Sequence, residues 1–188
     1  GGPDDAEQGF VAAGLFPMRE MDIMAYNRVV LDPPAPVDEI ATELGEAFGL
    51  EKVASATPTS PGVTHLYVEG DRYRGWYALS LPPTRRPGVA DALDVARLSE
   101  HVLEPVFGIT DPRTDDRIAF VGGIRGTGEL EQRVATGRAK MAVSMFPTRV
   151  EELVRVSDAG ELMPPKSTWF EPKLASGLLV HLFDAEAR

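Results

Sequence analysis

Thr64-His-Leu-Tyr-Val-Glu-Gly-Asp-Arg-Tyr-Arg-Gly-Trp-Tyr-Ala-Leu-Ser-Leu81 is the stretch whose reading decides the fold. From Thr64 to Glu69 the side chains alternate, with Leu66 and Val68 on one face and His65 and Tyr67 on the other. Alternation of period two is the mark of a strand with one buried face. Gly70-Asp71-Arg72 supplies turn residues, and from Gly75 onward Tyr77, Leu79 and Leu81 again share a face. Two alternating runs joined by a short Gly/Asp turn predict an antiparallel hairpin.

Working outward, the segments alternate between the two periods without strict order. Upstream, Phe10–Phe16 is an apolar run read as a short strand stopped by Pro17, and Met21–Leu31 contains a second strand. Pro33-Pro34-Ala35-Pro36 is a rigid connector. After it Val37, Ile40, Ala41, Leu44, Ala47 and Phe48 keep the spacing of one helical stripe, with Asp38, Glu39, Glu43 and Glu46 on the wet side and Gly49 as the stop. Downstream, Pro82–Gly88 is a loop, and Asp94 is expected to cap a helix carrying Val95, Leu98, Val102, Leu103 and Val106. Arg117–Val121 and Lys140–Phe146 read as strands, with a short helix over Gly128–Ala135 between them. Thr148-Arg-Val-Glu151 has the pattern of a capping box, opening a helix to about Asp158 that Gly160 ends, and Gly177–Phe183 is expected to be a last strand. A hairpin among interspersed helices is not the βαβ alternation of a parallel doubly wound sheet. The expected class is therefore α+β, a mixed and largely antiparallel sheet with several helices packed on it. Residues 10–185 are expected to form one domain, with 1–9 a flexible lead, linker or artificial boundary.

Charge and composition narrow the function. The 188 residues carry 19 basic against 29 acidic side chains, a formal charge of −10, which repels phosphate backbones and argues against nucleic acid as a partner. Apolar runs fall far short of the roughly 20 residues that span a bilayer, so no membrane partner is expected. No secretory signal opens the chain. Cysteine is absent, which removes disulfides, thiolate metal sites and cysteine nucleophiles, and fits a cytoplasmic location.

Most motif-like features have a structural explanation. Gly122-Gly-Ile-Arg-Gly-Thr-Gly128 lies between a strand and a helix, but its spacing matches neither the dinucleotide fingerprint nor the Walker loop. A flexible connection is the better reading. His65, His101 and His181 have no ligand spacing, and each reads as a packed or edge histidine. The acidic run Asp111–Asp116 lacks the glycine and terminal glutamate of a calcium loop and reads as solvated.

Met163-Pro-Pro-Lys-Ser-Thr-Trp-Phe-Glu-Pro-Lys173 is different. If the segment is extended, Lys166, Thr168 and Phe170 face one side, while Ser167, Trp169, Glu171 and Lys173 face the other. One side then offers an ammonium and a hydroxyl beside an aromatic ring, suited to a small anionic or polar ligand. The alternative is an edge strand whose aromatics pack on the core and whose lysines reach water. Both readings stay open. The candidate substrate-binding residues are Lys166, Ser167, Thr168, Trp169 and Lys173, with Arg28 from Tyr26-Asn-Arg28 as a weaker member; no catalytic residue and no metal ligand is assigned.

Ala25-Tyr-Asn-Arg-Val-Val30, Leu93-Asp-Val95, Leu103-Glu-Pro-Val-Phe-Gly-Ile109, Ile118-Ala-Phe-Val-Gly-Gly123 and the Met163–Lys173 segment with Ser176-Gly-Leu178 together resemble the C-terminal half of a bacterial family known as domain of unknown function 1015. The resemblance covers about Phe10 to Phe183. Members carry upstream an Asp-Gly-His-His-Arg motif similar to one in ParB-like free serine kinases. The resemblance thus implies a small-molecule phosphotransferase linked to serine metabolism, using ATP or ADP with Mg2+, although the residues themselves name no cofactor. No adjacent His-His occurs in this chain. The implied role is a C-terminal ligand-binding or active-site-completing domain, inactive alone, in contact with the upstream half. The alternative is a non-catalytic sensing or protein-interaction module, docking through Trp169 to a second copy or another partner.

Overall fold

A computed structural model describes residues 10–173 other than Ala12, together with Ala175, Gly177 and Val180. Most of the expected strand over Gly177–Phe183, His181 included, falls outside the described residues. The chain divides into two compact units, Ile23–Trp169 and a terminal unit made of Gly1–Asp22 with Phe170–Arg188. The short strands β1 (Asp22–Met24) and β8 (Trp169–Glu171) stand where the chain passes from one unit to the other.

In the terminal unit, Phe10–Phe16 is not a strand among its described residues. Phe10, Val11 and Leu15 are 60%, 84% and 96% exposed. A short apolar run carries no period of its own and becomes a strand only with a partner to complete its hydrogen bonds. Among the described residues of that unit, Met18–Glu20 forms a 3-10 turn.

The larger unit is built on a six-stranded sheet. Its strands are β2 (Tyr26–Val30), β3 (Leu50–Val53), β4 (Val63–Glu69), β5 (Arg74–Ser80), β6 (Ile118–Gly122) and β7 (Met141–Ser144), in the order β3-β5-β4-β7-β2-β6. Every pairing is antiparallel. The hairpin read from Thr64–Leu81 is β4–β5, with Leu66 opposite Tyr77 and Thr64 opposite Leu79. β3 was not visible as a strand in the sequence; four residues follow the helix stop Gly49 and pair along β5 at the sheet edge.

Side-chain alternation sends successive residues to opposite faces, and each face has its own core. Val30, Leu66, Val68, Leu79, Ile118, Met141 and Val143 bury against helix α1 (Val37–Phe48) and the helical segment from Asp94. Val29, Trp76, Val121 and Ala142 bury on the other side with Leu130 and Val134 of α3 (Gly128–Ala135). The stripe predicted for α1 is the buried one, since Ile40, Ala41 and Leu44 are at most 2% exposed, and Gly49 ends the helix at φ 74°. This is the expected α+β class, with four helices on an antiparallel sheet.

Two helix starts differ from expectation. Asp94 does not cap α2 (Asp94–Leu98); it sits inside the first turn and its carboxylate accepts the Gly62 N–H at 2.8 Å and pairs with Arg97 at 3.2 Å. The helix then widens into a π turn over Ser99–Leu103. Helix α4 (Val150–Asp158) is opened not by Thr148 but by Glu152, whose carboxylate accepts the Arg149 N–H at 2.9 Å. The hydroxyl of Thr148 is thereby released for another bond. At its other end Gly160 takes φ 69° and Glu161 N–H reaches back to Val156 O at 3.1 Å, the geometry of a Schellman stop.

Candidate functional site

A cleft of about 430 Å³ opens in the larger unit where five separated segments meet. One wall is helical, with Val95, Ala96, Ser99 and Leu103. The loops around Arg86–Asp91 and Thr110–Arg113 form two more, and Arg28 of β2 with Pro164 and Pro165 forms the last. The π turn places Ser99 and Leu103 on the cleft side of a widened helix, a local form that often accompanies functional sites. Three arginines, Arg28, Arg86 and Arg113, and two aspartates, Asp91 and Asp111, line this space.

The positive groups are not equivalent. Arg113 is held by Asp111 at 2.8 Å, and Arg86 by Glu104 at 3.1 Å. Both arginines are well exposed, so these pairs are weak and exchangeable. Arg28 is only 3% exposed and makes no ion pair among the described residues. Its guanidinium donates to the main-chain carbonyls of Tyr26 and Lys166, the latter at 3.2 Å, and lies 5.6 Å from the centre of the Phe120 ring. Burial pushes its pKa down to about 10, partly offset by the neighbouring Tyr26. The group still carries its charge at neutral pH. A guanidinium has five N–H donors in a planar fork, and carbonyls satisfy part of that fork without neutralising it.

The Met163–Lys173 segment is not one extended ribbon. Pro165 and Lys166 form a turn, with Lys166 in the left-handed region at φ 56°, and extension begins only at Trp169. The expected alternation of faces therefore fails before it starts. Ser167 is 4% exposed and donates its hydroxyl to Pro164 O, while Thr148 Oγ1 donates to Ser167 O at 3.1 Å. Lys166 is exposed, and its ammonium sits 5.6 Å above the centre of the Tyr26 ring rather than among the cleft-lining groups. Trp169 packs edge-on against Tyr26, ring centres 5.3 Å apart. Thr168 is half-buried, and Lys173 is exposed in the terminal unit. Of the six residues singled out in the sequence, Arg28 lines the cleft directly, Lys166 and Ser167 support it through the main chain, and Trp169 belongs to the aromatic layer behind Arg28.

The prolines that stiffen the segment are what line the cleft. Arg86, Asp91, Ser99, Asp111 and Arg113 also line the cleft; in the sequence Arg86 falls in the Pro82–Gly88 loop, Ser99 within a helical stripe and Asp111 and Arg113 in a run that reads as solvated, so no motif joins them. Gly122 and Gly123, weighed as a phosphate loop, have a packing reason instead. A Cβ on Gly123 would lie 2.7 Å from Ala25 O. His65 is a packed histidine: Nδ1 donates to Ser55 O at 2.9 Å, and burial pushes its pKa down. Among the described residues no group of three or more His, Asp or Glu side chains is placed to hold a metal ion. Nor is any helix among them long and apolar enough to cross a membrane.

No protein-family model matches the chain, and no curated protein matches it. Among solved structures it is distantly similar to a free serine kinase in complex with AMP, at 13% identity and a TM-score of 0.49. Two single-substitution mutants of a free serine kinase, also in complex with AMP, match at 14% identity with TM-scores of 0.48 and 0.46. Each match covers 81% of this chain and 55% of the other, so the chain spans about half the length of the structures it matches. No residue of this chain takes a role from that likeness.

Proposed function

We propose that the Arg28 cleft binds a small anionic ligand, and that the chain is the ligand-binding or active-site-completing part of a small-molecule phosphotransferase acting on a serine-like substrate. The observation that carries the reading is the buried guanidinium of Arg28 on the wall of a cleft, without an ion pair among the described residues. A charge withdrawn from water without a counter-charge is costly, and a carboxylate or phosphoryl group entering the cleft removes that cost with bidentate bonds. Arg86 and Arg113 stand at the same cleft with weak, exchangeable partners and add to the field on an anion. Val95, Leu103, Pro112, Pro164 and Pro165 offer an apolar surface to the rest of a small molecule. Phosphoryl transfer needs positioning and charge neutralisation more than covalent chemistry from the protein, and a fixed guanidinium supplies both. The motif series of the sequence supports the serine-kinase direction, and the lack of adjacent histidines supports a partner segment that completes the active site.

The docking reading through Trp169 has less in its favour, since the indole is packed on Tyr26. Titration calorimetry with inorganic phosphate, O-phosphoserine and ADP tests the proposal. At least one of the three is expected to bind the wild-type chain, and Arg28→Gln to weaken that binding by about tenfold or more, as loss of a charge-assisted bidentate contact does. Absence of binding at millimolar ligand, or equal binding by Arg28→Gln, refutes it.

A further inference from the structure

Resting on the anion-cleft reading, we infer that Thr148 and Ser167 are positioning residues that hold the Pro164–Ser167 turn so that the Lys166 carbonyl fixes the Arg28 guanidinium at the cleft. Three bonds link the start of α4 to the site in series. Thr148 Oγ1 donates to Ser167 O at 3.1 Å, the Ser167 hydroxyl donates to Pro164 O, and the Lys166 carbonyl between them accepts Arg28 Nη2 at 3.2 Å. Thr148 and Ser167 are 7% and 4% exposed, so neither hydroxyl is a solvated surface group.

The arrangement departs from local preference at two places. Thr148 precedes a helix in a capping pattern, yet its hydroxyl serves the turn while Glu152 caps the helix. Lys166 adopts φ 56°, a region that non-glycine residues avoid unless the surroundings impose it. Both departures have the same result, a carbonyl aimed at Arg28. That carbonyl restrains a long side chain that would otherwise sample many rotamers, and it does so without cancelling the charge a ligand needs. The turn also sets the two prolines on the cleft wall. In this account Lys166 acts through its main chain, with its ammonium turned onto the Tyr26 ring.

The test compares inorganic phosphate affinity, by calorimetry well below each melting temperature, in wild type and in Thr148→Val, Thr148→Ser and Arg28→Gln. Loss of a supporting hydrogen bond behind a binding group typically costs about tenfold or more in affinity. Thr148→Val is therefore expected to bind phosphate about tenfold more weakly, and Thr148→Ser to restore wild-type affinity. If Thr148→Val does not fold, Ser167→Ala takes its place with the same expectation. A Thr148→Val chain that melts earlier but binds phosphate as wild type does, while Arg28→Gln loses binding, overturns the inference and leaves the cleft reading standing. Equal affinity in Arg28→Gln and wild type overturns both.

Discussion

The indole of Trp169 lies so close to Gly122 that a Cβ built on that glycine would fall 2.3 Å from Cε3 of the ring. Trp169 is in turn packed on Tyr26, which touches Phe120 edge-on at 5.9 Å, and Phe120 lies beneath the Arg28 guanidinium at 5.6 Å. One aromatic layer therefore backs the candidate site, and its depth is set by a residue with no side chain.

Gly122→Ala tests that layer. The added methyl must displace either the indole or β6, and overpacking of this kind costs about 1–3 kcal/mol. Denaturant unfolding should show the loss, and the fluorescence of Trp169 should shift as its ring moves. In a Trp169→Ala background the same substitution should cost much less, because the atoms it meets are gone. Additive losses in the double mutant would contradict the contact.

Lys166 stands at φ 56°, and the backbone strain there can be separated from the side chain by comparing two substitutions. Lys166→Gly and Lys166→Ala both remove the ammonium from the Tyr26 ring. Only alanine keeps the penalty of a Cβ in the left-handed region, about 1 kcal/mol. The glycine variant should be the more stable of the two by about that amount in chemical denaturation. The reverse order would mean that the turn does not have this conformation.

Asp38 gives a pH dependence with a defined sign. Its carboxylate accepts the N–H groups of Asp71, Arg72 and Tyr73 at 2.8, 3.2 and 3.0 Å, tying α1 to the β4–β5 turn. These bonds, that from Tyr73 foremost, hold its pKa below the ordinary carboxylate value of 3.8. A depressed folded pKa means that the contribution to stability is complete above the unfolded value and fades as pH falls through the folded one. The melting temperature of Asp38→Ala should thus lie below that of wild type at pH 7, and the gap should narrow as pH falls through the lowered carboxylate pKa. A gap that is constant with pH would show that the charge is not what holds the turn.

How much of this was legible in the sequence depended on whether one segment sufficed. The hairpin and α1 each carry their own period and stop residue, and both appear where the pattern put them. β3 is too short to show a period and exists because β5 offers it an edge. The π turn at Ser99–Leu103 leaves no trace in a stripe whose spacing suits an ordinary helix. The cleft joins Arg28, Asp91, Ser99, Asp111 and Pro164, and nothing in the chain order says that these meet. What could be read was that Met163–Lys173 fits no ordinary loop. The sequence points to the Lys166 ammonium, whereas in the structure Pro164 and Pro165 line the cleft and the Lys166 carbonyl accepts Arg28 Nη2.

Anomalous diffraction from crystals soaked in sodium tungstate, a heavy tetrahedral oxyanion, tests the central claim most directly. The account predicts a tungsten peak in the cleft within bonding distance of the Arg28 guanidinium, absent from Arg28→Gln crystals treated alike. A cleft without tungsten in wild-type crystals whose cleft is open to solvent, or an unchanged peak in Arg28→Gln, would contradict it.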